Sequence, residues 1–274
     1  MQFELDDEQK LLRDTVREVL SRSYDNEKRK AAVESERGWT ESVWKQFAEL
    51  GLLGLSFAEE DGGMGAGPVE TFAVMTEIGR RLAPEPLLDG VLVPGGLISE
   101  VGSAEQRQRI LPSVAEGQTL LAFAHTEPGR RWPAAEVSTT ASESGGSFTV
   151  SGTKNPVLHG NSANHLVVSA ALPSGGVGLF LVDADADGVA RTPYRTHDGL
   201  RGASIVFTDA AAEPLGGGDA TAAIVASNVR AQAALAAEAL GAMEESLRLT
   251  TEYLKQRKQF GVPLSKFQAL TFRA

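Results

Sequence analysis

The sequence predicts an α+β chain in three parts: a helical N-terminal unit (residues 1–118), an antiparallel β-barrel or sandwich (119–218), and the beginning of a helical bundle (219–274). Two changes of hydrophobic period carry this prediction. Apolar residues recur every three to four positions up to about residue 118, alternate from Leu120, and return to helical spacing after Asp219. A third observation sets the class. The segments of period two are separated by Gly, Ser, Pro and Asp, not by helices, which suits antiparallel strands and argues against a βαβ array.

Residues 3–21 read as an amphipathic helix with Leu12, Val16, Val19 and Leu20 on one stripe. Asp6 and Asp7 stand at its start, where negative charge suits the helix dipole. A second helix runs from Thr40, an N-cap residue, through Trp44, Phe47 and Leu50 to Gly51. The acidic, Gly-rich run at 59–67 lacks GxGxxG spacing and a preceding strand, so it reads as a loop. Two further helices are expected at about 69–82 and 104–116. The second opens on a capping box formed by Ser103 and Gln106. Pro112 inside it must kink or divide it.

Strands are expected at 120–126, 148–154, 166–170, 177–182 and 204–208. From Asp219, an N-cap residue, one helix runs to Gln259. Val225, Val229, Gln232, Ala236, Leu240, Met243, Leu247 and Leu254 trace a stripe along it. Ala233 to Ala237 and Gly241 leave room for close helical neighbours. The chain then breaks at Gly261 and Pro263, and Leu264, Phe267 and Leu270 resume helical spacing, which predicts a helix-turn-helix corner.

Composition narrows the function. Hydrophobic residues make up 42% of the 274 positions and charged ones 23%, an ordinary globular balance. A net charge of -10 argues against tracking nucleic-acid phosphates. No Cys is present, which excludes disulfides, thiolate metal sites and a Cys nucleophile. The four His, at 125, 159, 165 and 197, show no HExxH spacing. No apolar run is long enough for a membrane span. The opening residues are acidic where a secretory signal is basic and then apolar, so a cytoplasmic protein is expected.

The corner at 257–268 gathers a guanidinium (Arg257), two amides (Gln259, Gln268) and an aromatic ring (Phe260). Such a set grips a ligand with a phosphate and a flat base, or it simply ends a helical hairpin with charge. Arg257-Lys258-Gln259-Phe260-Gly261 with Pro263-Leu264 and Phe267-Gln268 resembles the signature of the flavin-dependent acyl-CoA dehydrogenases. In that family this loop crosses a dimer interface to the adenosine end of the neighbour's FAD. The helical, β, helical order of the whole chain is similar to that family as well.

The resemblance implies further site residues. Phe123-Ala124-His125-Thr126-Glu127-Pro128-Gly129 resembles the family's flavin-cradling strand and turn, which places Phe123, His125 and Thr126 at the flavin edge. Arg130, Arg131 and Trp132 follow where the family has small residues and a Ser; their bulk implies a closed or altered pocket mouth, beside the alternatives of an Arg pair that binds an anion and a solvated loop. Gly152-Thr153-Lys154-Asn155-Pro156-Val157-Leu158-His159-Gly160 fits the frame of the second flavin strand. Pro156, Val157 and Leu158 stand where the family has Trp-Ile-Thr, so a stacking ring and a hydroxyl donor are missing. His159, one position later, is either a substitute donor or a core His. Arg201, in the turn at 198–204, faces the pocket or makes a surface pair. The base that removes the α-proton sits, in some members, at the helix position that is Ala231 here, so no catalytic residue is identified. Glu238 lies about 10 Å further along the helix and is no simple replacement.

By resemblance the chain is a subunit of an FAD-dependent enzyme that desaturates an acyl-CoA thioester, with a second subunit or a copy of itself as partner. An electron-transfer flavoprotein is then the electron acceptor. Two other readings stand beside it: a complete enzyme whose base lies in a further C-terminal segment, and an acyl-CoA-binding or scaffold protein without redox chemistry.

Overall fold

The computed structural model describes residues 4–129 and 136–272. Six α-helices come first: α1 (Asp7–Ser23), α2 (Asn26–Glu34), α3 (Glu41–Glu49), α4 (Pro68–Arg81), α5 (Val93–Val101) and α6 (Ala104–Ala115). Capping sets several of these boundaries. Asp6 and Gln9 exchange the two bonds of a capping box at α1, and Ser103 and Gln106 do so at α6. Two helices were not expected. α2 has Ala32 as its only buried residue and so shows no apolar stripe. α5 is entered through a π-helical turn, Leu88–Leu92, and its Pro94 and Gly95 are buried. Pro112 does not divide α6. It lies one turn from the helix end, and the Glu116 N–H still reaches its carbonyl at 2.9 Å.

Among the described residues the middle of the chain forms seven strands: β1 (Leu121–Ala124), β2 (Thr140–Ser144), β3 (Ser147–Leu158), β4 (His165–Ala171), β5 (Val177–Asp183), β6 (Val189–Arg195) and β7 (Arg201–Leu215). The pairings β4-β2-β3-β7-β5 return to β4, which closes a barrel-like sheet, with β1 flanking β4 and β6 flanking β7. The sequence predicts an antiparallel sheet, and most pairings are antiparallel, but two are not. β1 runs parallel to β4, with Leu121 opposite His165, and β2 meets β4 in parallel at one residue pair. The long excursion through β2 and β3 supplies the crossover that a parallel pair requires. Ala122, Ala124, Val150, Leu166, Phe180 and Ile205 fill the barrel. A second core joins the helices to the outer face of the sheet through Leu121, Val167, Leu179 and Leu181.

α7 (Thr221–Gln256) runs back along the helical unit. Beyond Ile224 in its first turn, its buried face is made of small residues, Ser227, Ala234, Ala237 and Gly241. The predicted stripe is turned the other way, with Val225, Val229, Met243 and Leu247 exposed. Small residues win the inner face because α4 crosses so close: a Cβ added at Gly79 would come 1.8 Å from the Glu238 carbonyl oxygen. α7 ends at Gln256, not Gln259. A hairpin of β8 (Lys258–Gln259) and β9 (Val262–Pro263) follows, then a 3-10 turn and α8 (Gln268–Thr271), in place of the expected helix-turn-helix corner. Phe260 and Gly261 both have positive φ, 51° and 82°, as a two-residue type I′ hairpin turn demands.

Candidate functional site

The two segments assigned to the flavin edge meet in the fold. The Asn155 N–H donates to the Thr126 carbonyl at 2.8 Å. Beneath this stitch lies a fully buried ion pair. Lys154 Nζ, with 0% of its residue surface exposed, donates to Glu127 Oε1 (3.0 Å), the His125 carbonyl (3.1 Å) and Ser169 Oγ (3.1 Å). Glu127 also accepts from the Ser138 and Thr139 N–H groups at 2.7 and 2.8 Å. Burial pushes the Glu127 carboxyl up, but these N–H groups and Lys154 outweigh it and hold it below the usual carboxylate range. Burial lowers the Lys154 ammonium despite its partner. The pair locks the end of β1 to β3 and β4, so it positions the edge residues without touching a ligand.

Not every predicted side chain reaches the edge. The His125 ring is buried, with Nδ1 2.8 Å from Ser169 Oγ, and stacks on Phe123 with centroids 5.1 Å apart. Burial, with the Lys154 charge nearby, pushes its pKa down to about 4, so the imidazole stays neutral. His159 is likewise a core residue, at positive φ, with its own N–H bonded to the Arg201 carbonyl and its Nδ1 unpartnered. Phe123 and Thr126 are half-buried, Pro156 is exposed, and Leu158 is half-buried. Arg130, Arg131 and Trp132 lie outside the described residues.

Among the described residues Arg201 pairs with no acidic side chain. Its guanidinium donates to the carbonyls of Val33 (3.0 Å), Glu36 (3.2 Å) and Ser35, at the end of α2 and just past it, and to Gly199 at 3.0 Å. It therefore ties the β unit to the helical unit. Sequence inspection also passed over Tyr194 on β6, whose hydroxyl donates to Asn155 Oδ1 at 2.7 Å. No local motif marks that residue; only the strand register brings it to the edge.

A cavity of ≈ 760 Å³ lies between α4, α5 and α7, walled by Phe72, Leu88, Leu92, Val93, Ala231 and Ala234. The helix position that resemblance assigns to the base is thus on the cavity wall, but it carries a methyl group. Arg230, beside it, pairs with Glu100. Asp89 follows the wall residue Leu88, and Glu238 lies one turn beyond Ala234. Burial, then the charges of Glu238 and Asp198, push Asp89 up to about 6. Burial and Asp198 push Glu238 up as well. Glu244 and Glu245 are taken up by Arg80 and by Arg81 and Arg248.

Arg257, Gln259 and Gln268 are exposed, and Phe260 is 92% exposed and edge-on to Phe267. The hairpin packs against α7 and offers these groups outward. Among the described residues there is no cluster of His, Asp or Glu fit for a metal and no helix long and apolar enough to cross a membrane.

Helices thus stand before and after a closed β-sheet, with an apolar cavity among α4, α5 and α7. Residues 6–118, 122–210 and 225–274 match the models of the acyl-CoA dehydrogenase N-terminal, middle and C-terminal domains. The chain belongs to the acyl-CoA dehydrogenase family, whose cofactor is FAD. It is 30% identical over 242 residues to acyl-CoA dehydrogenase FadE27 of Mycobacterium tuberculosis, covering 86% of this chain and 61% of that protein. It therefore spans less than two thirds of that relative. A steroid ACAD structure, Tcur3481-Tcur3483, is 36% identical with a TM-score of 0.88, covering 97% of this chain and 72% of its own. The ChsE4-ChsE5 complex of Mycobacterium tuberculosis is 27% identical with a TM-score of 0.88, covering 100% and 73%.

The residues present fit a flavin at one edge. Thr126 and Leu158 are half-buried and Pro156 is exposed beside the Asn155 stitch, a hydroxyl and two apolar groups of the kind that a flavin ring would meet. When bound, FAD supplies the hydride-accepting chemistry of the family.

Proposed function

We propose that this chain is a cytoplasmic subunit of a flavin-dependent acyl-CoA dehydrogenase that removes hydrogen across the α,β-bond of an acyl-CoA thioester, in a hetero-oligomer. Its role is to complete a partner's site. The observation that supports this most is Ala231: the wall position suited to a proton-abstracting carboxylate holds a side chain that cannot take a proton. The outward hairpin bearing Arg257, Gln259 and Phe260 retains the chemistry to meet the phosphate and base of FAD on a neighbour. The ChsE4-ChsE5 complex among its structural relatives accords with a second, different subunit. The chain's own contributions are to hold the β edge through Lys154 and Glu127, to shape the acyl cavity, and to present the hairpin. An electron-transfer flavoprotein is the expected acceptor.

The test is to assay the isolated chain and the co-expressed complex with acyl-CoAs of several lengths and an artificial electron acceptor, alongside a flavin absorbance scan. Turnover and yellow colour only in the complex support the reading. Robust turnover by the 274-residue chain alone would mark it as a complete enzyme. A colourless complex would point to a scaffold without redox chemistry.

A further inference from the structure

An aromatic ring from another strand stands beside the Pro156 segment. Across β6, β7 and β3, Tyr194 is opposite Gly202, and Gly202 is opposite Leu158. Residues opposite one another in a sheet project from the same face. Tyr194 and Leu158 therefore flank a position with no side chain. The tyrosine ring fills that gap: a Cβ built on Gly202 would fall 2.8 Å from a ring carbon and 3.2 Å from the hydroxyl. The ring lies over β7 and reaches β3, where its hydroxyl donates to Asn155 Oδ1 at 2.7 Å. Asn155 is the residue stitched to Thr126 and the neighbour of Pro156. The ring thus ends at the junction of the two flavin-edge segments, and Tyr194 remains partly exposed.

We propose that Tyr194 supplies the aromatic contact of this chain's flavin edge, in the place that the Pro156 and Leu158 segment leaves without a ring. The inference rests on the reading of the chain as flavin-dependent. It adds that this chain's own β surface, and not only its hairpin, touches a flat heteroaromatic ligand. Gly202 is the second half of the device, because any side chain there would lift the ring away from Asn155. The Asn155 bond fixes the ring's reach, while the ring supplies the contact.

The native complex, with 3-fluorotyrosine in this chain only, reports on the contact directly. The chain has three tyrosines, so the ¹⁹F spectrum is simple, and Tyr194→Phe assigns the resonance. Titration with FAD is expected to shift that resonance. Tyr194→Leu is expected to weaken FAD binding about tenfold and to raise the bound flavin's fluorescence, since a stacked ring quenches it. Tyr194→Phe keeps the ring and should stay within about threefold of the native affinity. A complex that binds FAD while the Tyr194 resonance stays fixed overturns this inference and leaves the flavin reading standing. So does a Tyr194→Leu complex with native affinity and emission. A native complex that takes up no FAD overturns both.

Discussion

Tyr24 and Glu85 meet in the interior of the helical unit, the tyrosine hydroxyl donating to Glu85 Oε1. The Thr40 N–H, at the start of α3, donates to the same oxygen at 3.2 Å, and Oε2 is buried without a partner. One carboxyl thus joins the chain after α1, the entry to α3 and the segment after α4. Burial outweighs both donors and pushes Glu85 up to about 7.

That shift makes stability depend on pH. The folded pKa lies above the ordinary value of 4.5, so the folded chain binds the proton more tightly than the unfolded chain. The contribution is fully present below about pH 4.5 and is lost as pH rises through about 7, on the order of 3 kcal/mol in all. Glu85→Gln should flatten this slope between pH 5 and 8. Urea unfolding of both proteins across that range measures it; parallel slopes would exclude Glu85 as the source.

Lys154→Met should cost about 3–5 kcal/mol, because Glu127 would keep its charge in a buried site. Replacing both partners, Lys154→Met with Glu127→Gln, should recover part of the loss. Denaturant melts of the single and double variants give the coupling directly, and additive losses would show that the pair does not act as a unit.

Arg201→Ala removes a charged donor from a row of backbone carbonyls and should cost about 3 kcal/mol. Arg201→Lys should restore little, since one ammonium cannot reproduce the planar fork. The loss should appear locally as well. Proteolysis within residues 33–40 should accelerate in the Ala variant, and unchanged cleavage there would argue that the docking is redundant.

In the flavin-binding complex, Arg257→Ala should weaken FAD affinity roughly ten- to a hundred-fold, the worth of a charge-assisted contact. Phe260→Ala should act in the same direction by removing a stacking face. Lys258→Ala should do little. Flavin titration of the three complexes decides it, and native affinity in both Arg257→Ala and Phe260→Ala would reduce the hairpin to a structural end.

What could be read from the sequence was what local chemistry writes down. α1, α4 and α6 announce themselves through caps and apolar spacing, whereas α2 buries too little to leave a stripe. β2 and β6 are mostly exposed and carry no alternating pattern. The face of α7 was misread because close crossing selects small residues on its buried side, and large apolar residues on the other side dominate any stripe. The altered Pro156 to Leu158 segment and Ala231 were legible by position along the chain. Tyr194 was not, since its place depends on two strand registers and a glycine between them.

The Gly79 and Gly241 crossing has a consequence for how this chain can drift. A methyl group at either position meets a carbonyl oxygen at 1.8 Å, a backbone atom that no rotamer change can move aside. At Gly65 and Gly96 an added Cβ meets nothing within 4 Å. In a saturation library selected for assembly, the first two sites should therefore stay almost monomorphic while Gly96 diversifies. The crossing acts as a fixed hinge pin in sequence space: substitutions can accumulate around it on both helices, but the spacing of the two axes is inherited unchanged.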